Sequence, residues 1–322
     1  MHIFIRAETY GSEARVALIP ADIAILRANG FKVTVESSKT RAFKDSEYGH
    51  TKNEKWYDQD AVTLIIGLKE LDHLEKLNGH KHIYFAHCYK NQLGAATILN
   101  AFAKSQSILY DLEYFRDQSG KRVLAFGFYA GMVGAALGLR QHYNQAMGLP
   151  DIADLTPWGS YQAMMDYCKF HRCRIAIKGK GRCSLGVQHI LSCLGIAFDL
   201  LGRDDTVNYD ILFNCILLDP SYDKVWIGKD HDKPLLIVDV SCDYTRPNNP
   251  LPVYSEGTTW QTPVLHATDM ISVIAIDNLP SLLPRESSTE FSALLTELLL
   301  RFGDPCWAAT AAMFQTKLHD IE

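Results

Sequence analysis

The sequence has no block of like charge. Its 32 Lys and Arg and 37 Asp and Glu are interleaved to a net charge of −5, which leaves no basic field for nucleic acid or anionic lipid. Eight cysteines in 322 residues are far too few for a disulfide scaffold. No Cys/His group has metal-ligand spacing: the pairs His80 with His82 and Cys168 with Cys173 stand without further ligands. Long apolar runs are missing too. The longest weakly polar stretch, 129–139, is too short and too glycine-rich to span a bilayer, and residues 1–15 lack the apolar core of a signal peptide. What is present is an ordinary globular composition, 47% hydrophobic and 21% charged, at a length that suits two domains. The expectation is a cytoplasmic enzyme of small molecules, with no metal, nucleic-acid or membrane partner. A monomer is compatible, and the oligomeric state stays open.

Short apolar strands alternate with helical patterns along the first half. Strands are expected at 2–6, 31–35, 61–67 and 83–86, with helices at 21–29 (opened by Pro20, closed by Gly30) and 92–106. Near-continuous apolar strands indicate a parallel sheet buried on both faces. The stretch 127–147 is rich in Gly and Ala and reads as a domain-connecting helix. A second series follows: strands at 174–177, 198–201, 211–214, 235–240 and 273–276, with a helix at 187–194. Two amphipathic helices, 288–302 and 307–318, close the chain and are expected to return to the first domain. The fold class is α/β, two Rossmann-like domains with parallel sheets and the active site in the cleft between them. Residues 1–127 plus 281–322 form the expected amino-acid domain, and 128–280 the cofactor domain.

The strand at 174–177 runs into Lys178-Gly179-Lys180-Gly181-Arg182-Cys183-Ser184-Leu185-Gly186. Gly179, Gly181 and Gly186 approximate a dinucleotide turn, whose missing side chains let backbone N–H groups and a helix amino terminus approach a pyrophosphate. The last interval is longer than the motif requires, and a tight βα turn that binds nothing is the alternative. Asp204 and Asp205 follow at about the 20-residue distance where an acid meets the adenosine ribose, a pattern that favours NAD.

In the first half, Lys69 follows the strand at 61–67 and His87 follows the one at 83–86. Parallel sheets bind ligands at the carboxyl edge, and two titratable groups from consecutive strand ends form a candidate acid–base pair. Arg15 and Arg122 are candidate carboxylate clamps.

Several longer blocks carry a resemblance. They include Arg6-Ala7-Glu8-Thr9, Phe85-Ala86-His87-Cys88-Tyr89-Lys90, Leu109-Tyr110-Asp111-Leu112-Glu113, Ala125-Phe126-Gly127-Phe128-Tyr129-Ala130-Gly131, Gly181-Arg182-Cys183, Val238-Asp239-Val240-Ser241 and Ile276-Asp277-Asn278-Leu279-Pro280. In order along nearly the whole chain, these blocks resemble the NAD-dependent, lysine-forming saccharopine dehydrogenases, near the alanine dehydrogenase and transhydrogenase superfamily. That resemblance implies oxidation of a secondary amine by NAD and hydrolysis of the imine to L-lysine and 2-oxoglutarate. It implies Lys69 and His87 as the acid–base groups, tuned by Glu70 and Glu113. It places Arg15, Gln92, Arg122, Phe126, Ser241, Cys242 and Asp243 at the substrate. Lys121, Gly179, Gly181, Arg182, Asp204, Asp205, Val240, Ile276, Asp277, Asn278 and Leu279 would then serve the cofactor. Cys183 and Cys215, near two neighbouring strand ends, are a candidate disulfide, with two thiols as the alternative. The chain departs from the family pattern in two ways. Lys178 stands where the family has glycine, and the segment after Asp205 is short. A related dehydrogenase of another amine or 2-oxo acid, and a dinucleotide-binding regulator without turnover, remain as alternatives.

Overall fold

The computed structural model describes residues 1–90, 92, 94–202, 204–218 and 221–320. The chain divides into two compact units, Met1–Ala125 with Pro284–Glu322, and Phe126–Leu283.

The first unit opens with β1 (His2–Ile5), α1 (Pro20–Ala28) and β2 (Lys32–Val35). It continues through β3 (Leu64–Ile66), β4 (Lys81–Tyr84), α2 (Ala95–Lys104) and β5 (Ile108–Asp111). Its sheet runs β2-β1-β3-β4-β5, every pairing parallel. β4 lies earlier than the apolar pattern suggests because His82 is buried as a core residue among Trp56, His80 and Phe102. β5 is a four-residue edge strand that the pattern does not announce.

The second unit begins with α3 (Gly127–Ala146) and α4 (Tyr161–Tyr167), then β6 (Ile175–Lys178), α5 (Arg182–Cys193), β7 (Asp199–Leu201) and β8 (Ile211–Asn214). It closes with β9 (Leu235–Asp239), β10 (Leu265–His266) and β11 (Ile271–Ile274). The order is β10-β11-β9-β8-β6-β7, with only β10 antiparallel among the described pairings. Alternate residues sort cleanly to the two faces. Ile175, Ile177, Ile211, Phe213, Leu236 and Val238 join α3 and α5 in one core. Ala176, Leu212, Leu235 and Ile237 join the other, which is roofed by Leu251, Val253 and Tyr254 from irregular chain and not by a helix.

α5 starts five residues before the apolar pattern does, because Gly181 caps it directly after the turn. Its early start brings it against α3 at backbone contact. A Cβ on Gly131 would lie 1.9 Å from the Cys183 carbonyl oxygen, and one on Gly186 would lie 1.9 Å from that of Phe128. The two glycines face each other's helices, so the crossing has no room for a methyl group from either side. No helix among the described residues is long and apolar enough to cross a membrane.

The chain then returns to the first unit as α6 (Pro284–Leu300) and α7 (Pro305–His319). Ser288 and Ser292 of α6 accept the Val16 and Ile19 N–H groups, each at 2.9 Å. Ser292 in turn donates to Asp22 of α1. Trp307 of α7 stacks edge-on against Phe115 and Tyr110 at 4.8 and 5.3 Å, and Phe314 packs on Phe102 of α2.

Replacing Gly131 by Ala is expected to cost about 3 kcal/mol in urea unfolding, because the overpacked atoms are backbone and cannot rotate away. Gly159, whose Cβ position is open, serves as control, and its Ala variant should stay within about 0.5 kcal/mol of wild type.

Candidate functional site

Each sheet has a switch point where successive connections leave in opposite directions, and open α/β sheets bind ligands there. In the first unit it lies between β1 and β3. Gly67 leaves β3 so close to Arg6 that a Cβ would sit 2.3 Å from Arg6 Nε. Through this gap the buried Arg6 guanidinium donates to the Lys69 carbonyl and pairs with Glu8 at 3.3 Å. Glu8 accepts the Leu68 and Lys69 N–H groups at 2.7 and 3.0 Å. Burial raises the Glu8 carboxyl above its usual range, opposed by Arg6 and these two N–H groups. The Lys69 backbone is thus held from both sides, and its ammonium lies 5.5 Å from the Tyr10 ring.

His87 emerges from the neighbouring strand. The Phe85 N–H donates to the Leu68 carbonyl at 3.1 Å, which ties the two strand-end loops together. His87 has φ of 49°, a left-handed conformation a non-glycine residue holds only when its surroundings impose it. Its ring stacks on Phe85, and Arg122 lies 5.4 Å from that same ring. Glu113, just past β5, takes Lys90 at 2.7 Å and Arg122 at 3.5 Å. Burial works against the Glu113 charge, but Lys90, Arg122 and His87 hold its carboxyl below the usual range. Gln92 accepts the Lys90 N–H, which fixes that loop. Glu70 is exposed beside Lys69, whereas Glu113 belongs to the His87 cluster.

Behind this cluster Asp111 is fully buried and accepts the Glu113 N–H at 2.9 Å. Its Oδ2 has no hydrogen-bond partner among the described residues. Burial raises the carboxyl to about 7, against the Glu113 and Ala86 N–H groups that favour its charge. Arg15 is also buried, but its guanidinium is already bidentate to Glu13, Nε at 2.8 Å and Nη2 at 2.5 Å. The recess lined by Arg6, Glu8, Glu13 and Arg15 has free space of about 10 Å³, room for one water. Lys121 is exposed, in a turn held by the Asp117 carboxylate.

The second unit's switch point lies between β6 and β8. Gly179 has φ of 116°, and its Cβ would lie 2.4 Å from the Cys215 carbonyl oxygen at the end of β8, so only glycine fits. Beyond it Gly181 caps α5, and nothing lies within 4 Å of its Cβ position. The amino terminus of α5, headed by Arg182, follows this turn directly, the position where a helix terminus meets an anion. At the end of β7 the Gly202 N–H donates to Asp205 at 2.6 Å, and Asp204 is paired with Lys224. Lys178 reaches the end of β7, where its ammonium donates to the Gly202 carbonyl at 2.9 Å.

At the end of β9 the buried Asp239 accepts the Ser241 and Cys242 N–H groups and the amide of Asn214. Burial raises its carboxyl, and those donors with the Tyr254 hydroxyl oppose the rise. Ser241 Oγ donates to the Ile216 carbonyl at 2.6 Å, Cys242 has φ of 52°, and Asp243 pairs with Arg246 at 2.8 Å. Val240 is pressed against Gly134 of α3. Ile276, Asn278 and Leu279 are buried beyond β11, and Asp277 is exposed between them. Phe126 caps the start of α3. No disulfide joins Cys183 to Cys215; burial and the neighbouring Cys183 push the Cys215 thiol up. No group of three or more His, Cys, Asp or Glu among the described residues could hold a metal. The candidate residues thus gather at one edge in each unit: Lys69, His87, Arg122 and Gln92 in the first, the glycine turn, the β7 corner and the 240–243 loop in the second.

Residues 4–133 match the family model of the alanine dehydrogenase/PNT N-terminal domain. The NAD-dependent, L-lysine-forming saccharopine dehydrogenase of Schizosaccharomyces pombe is 34% identical over 367 aligned positions, covering 99% of each chain. That of Yarrowia lipolytica is 35% identical, covering 97% of this chain and 96% of its own. The chain belongs to the lysine-forming saccharopine dehydrogenase family. The alignment with the Schizosaccharomyces pombe protein has more positions than this chain has residues, so this member of the saccharopine dehydrogenase family is shortened by internal gaps. An L-alanine dehydrogenase structure shares the fold, with a TM-score of 0.75 over 100% of both chains at 13% identity.

Sequence reasoning gives no role to Glu8, Lys90, Asp111 and Asp239, which stand only within the resembling blocks; their importance lies in burial and in what they accept or donate. Asp111 yields a test. Its carboxyl titrates at about 7 when folded, against 3.8 unperturbed, so the folded state binds more protons between those limits and stability falls as pH rises through them. Asp111→Asn keeps the acceptor for the Glu113 N–H and removes the titration. Its stability relative to wild type should increase from pH 4 to pH 7 by up to about 4 kcal/mol, read by urea unfolding across that range. A constant difference would show that Asp111 carries no such strain.

Proposed function

We propose that this chain is an NAD-dependent oxidoreductase acting on a CH–NH group, which converts saccharopine reversibly to L-lysine and 2-oxoglutarate. The observation that carries the reading is near-full-length similarity, at about one-third identity, to saccharopine dehydrogenases of that specificity. The amino terminus of α5 directly beyond the crowded Gly179 turn suits a pyrophosphate, with Gly181 and Arg182 beside it and Asp204 and Asp205 at the ribose. Lys121, Val240, Ile276, Asp277, Asn278 and Leu279 complete the proposed cofactor set. When bound, NAD supplies the hydride acceptor.

The proposed residues divide the remaining work. A base, Lys69 or His87, takes the proton of the substrate's secondary amine as the adjacent C–H bond breaks and its hydride leaves. The resulting C=N bond adds water, with the partner group taking the water proton and returning one to the departing lysine nitrogen. Two groups are needed because the protons move at different atoms. The clamp on the Lys69 backbone and the imposed conformation of His87 preset both positions. Arg122 and Arg15 hold carboxylates, with Gln92, Phe126, Ser241, Cys242 and Asp243 around the amino-acid portion. A substrate carboxylate must compete with Glu13 for Arg15.

Wild type is expected to oxidise NADH with lysine plus 2-oxoglutarate, and at least tenfold more slowly with ornithine, or with alanine and pyruvate as the pairing. Lys69→Met combined with His87→Gln should lower turnover by about a thousandfold or more while NADH still quenches or shifts in fluorescence titration. Near-normal turnover in the double variant would remove both residues from the chemistry.

A further inference from the structure

Lys178 is among the largest fully buried side chains in the protein, with 1% of its surface exposed. A buried ammonium is costly unless its charge and donors are matched. Here its Nζ donates to the Gly202 carbonyl at 2.9 Å and lies 4.3 Å from the centre of the Trp226 ring. Burial lowers the pKa of its ammonium, and the nearby Asp205 and Asp204 oppose that shift. The same Gly202 gives its N–H to Asp205 at 2.6 Å. The two backbone polar groups of Gly202, in successive peptide units at the end of β7, are therefore engaged by a carboxylate on the N–H and a cation on the carbonyl. Asp204 is matched in turn by Lys224. Among the described residues, the corner carries two acids and two bases.

That balance changes what the corner can accept. An acid after this strand favours NAD by hydrogen-bonding the ribose hydroxyls and repelling a 2′-phosphate. The repulsion requires an uncompensated charge. With Lys178 behind Asp205 and Lys224 on Asp204, each acid that would repel a 2′-phosphate has a cation close by. We propose that Lys178 is a specificity-determining residue that relaxes the choice between NAD(H) and NADP(H), so that this chain binds both dinucleotides. The inference rests on the dinucleotide reading of the second unit given above. Lys178 acts through field and through the position of Gly202, because it is too buried to touch the phosphate.

The experiment measures dissociation constants of NADH and NADPH by fluorescence titration of the full chain, with kcat/KM for both cofactors alongside. Wild type should bind NADPH within about tenfold of NADH. Lys178→Met, which keeps the bulk and removes the charge, should widen the NADPH-to-NADH ratio of dissociation constants about tenfold, the effect of one partly screened charge. Asp205→Asn keeps the acceptor for the Gly202 N–H and should narrow the ratio by a similar factor. It stands in if the Met variant does not fold. A residue with only a packing role would weaken both cofactors together and leave the ratio unchanged, and an unchanged ratio in a folded variant overturns the proposal. NADPH binding to wild type more than a thousandfold weaker than NADH would overturn it equally. If wild type binds neither dinucleotide, the cofactor reading of the second unit fails first and this inference falls with it.

Discussion

At both switch points the chain passes another part of the backbone or a buried cation with no space for a side chain. Gly67 clears the Arg6 guanidinium, and Gly179 clears the carbonyl of Cys215. These two clearances decide where the following loops go, and the candidate chemistry hangs on those loops. With a Cβ at position 67, Arg6 could not reach the Lys69 carbonyl. With one at 179, β6 and β8 could not stay paired to their ends while α5 starts three residues later. The α3–α5 crossing repeats the same constraint, with helix backbones in place of strand ends.

Buried carboxylates then fix the loops that the glycines release. Glu8 takes the N–H groups that follow β3, Asp111 the one in the turn after β5, and Asp239 the two that follow β9. Each lies at a carboxyl edge, and burial pushes each carboxyl toward protonation. Acceptance of backbone N–H groups by a desolvated carboxylate is strong and directional. It holds a loop in a conformation that its own residues disfavour, as the left-handed His87 and Cys242 show. The edge is thus prepared electrostatically before any substrate arrives.

Period and punctuation made much of this legible in advance. Short uninterrupted apolar runs such as the one around Leu64–Ile66 fit strands covered on both sides, and glycines after an apolar strand announce a βα turn. Lys69 and His87 stood out because each follows such a strand. What stayed hidden depends on contacts between distant residues. β10 is too short to show a period. α5 begins inside what looks like loop composition because its cap is a bare glycine. Nothing near Glu8 in sequence indicates that it will accept N–H groups from residues 68 and 69. Nor does Lys178 reveal which way its side chain turns, since that depends on the end of β7 and on Trp226, 48 positions downstream.

The return of α6 and α7 to the first unit has a temporal meaning. During synthesis, residues 126–283 emerge complete and can fold while the first unit still lacks its last two helices. Until α6 and α7 are made, the Val16 and Ile19 N–H groups lack Ser288 and Ser292, and Tyr110, Phe115 and Phe102 lack Trp307 and Phe314. The half of the chain made first is therefore finished last.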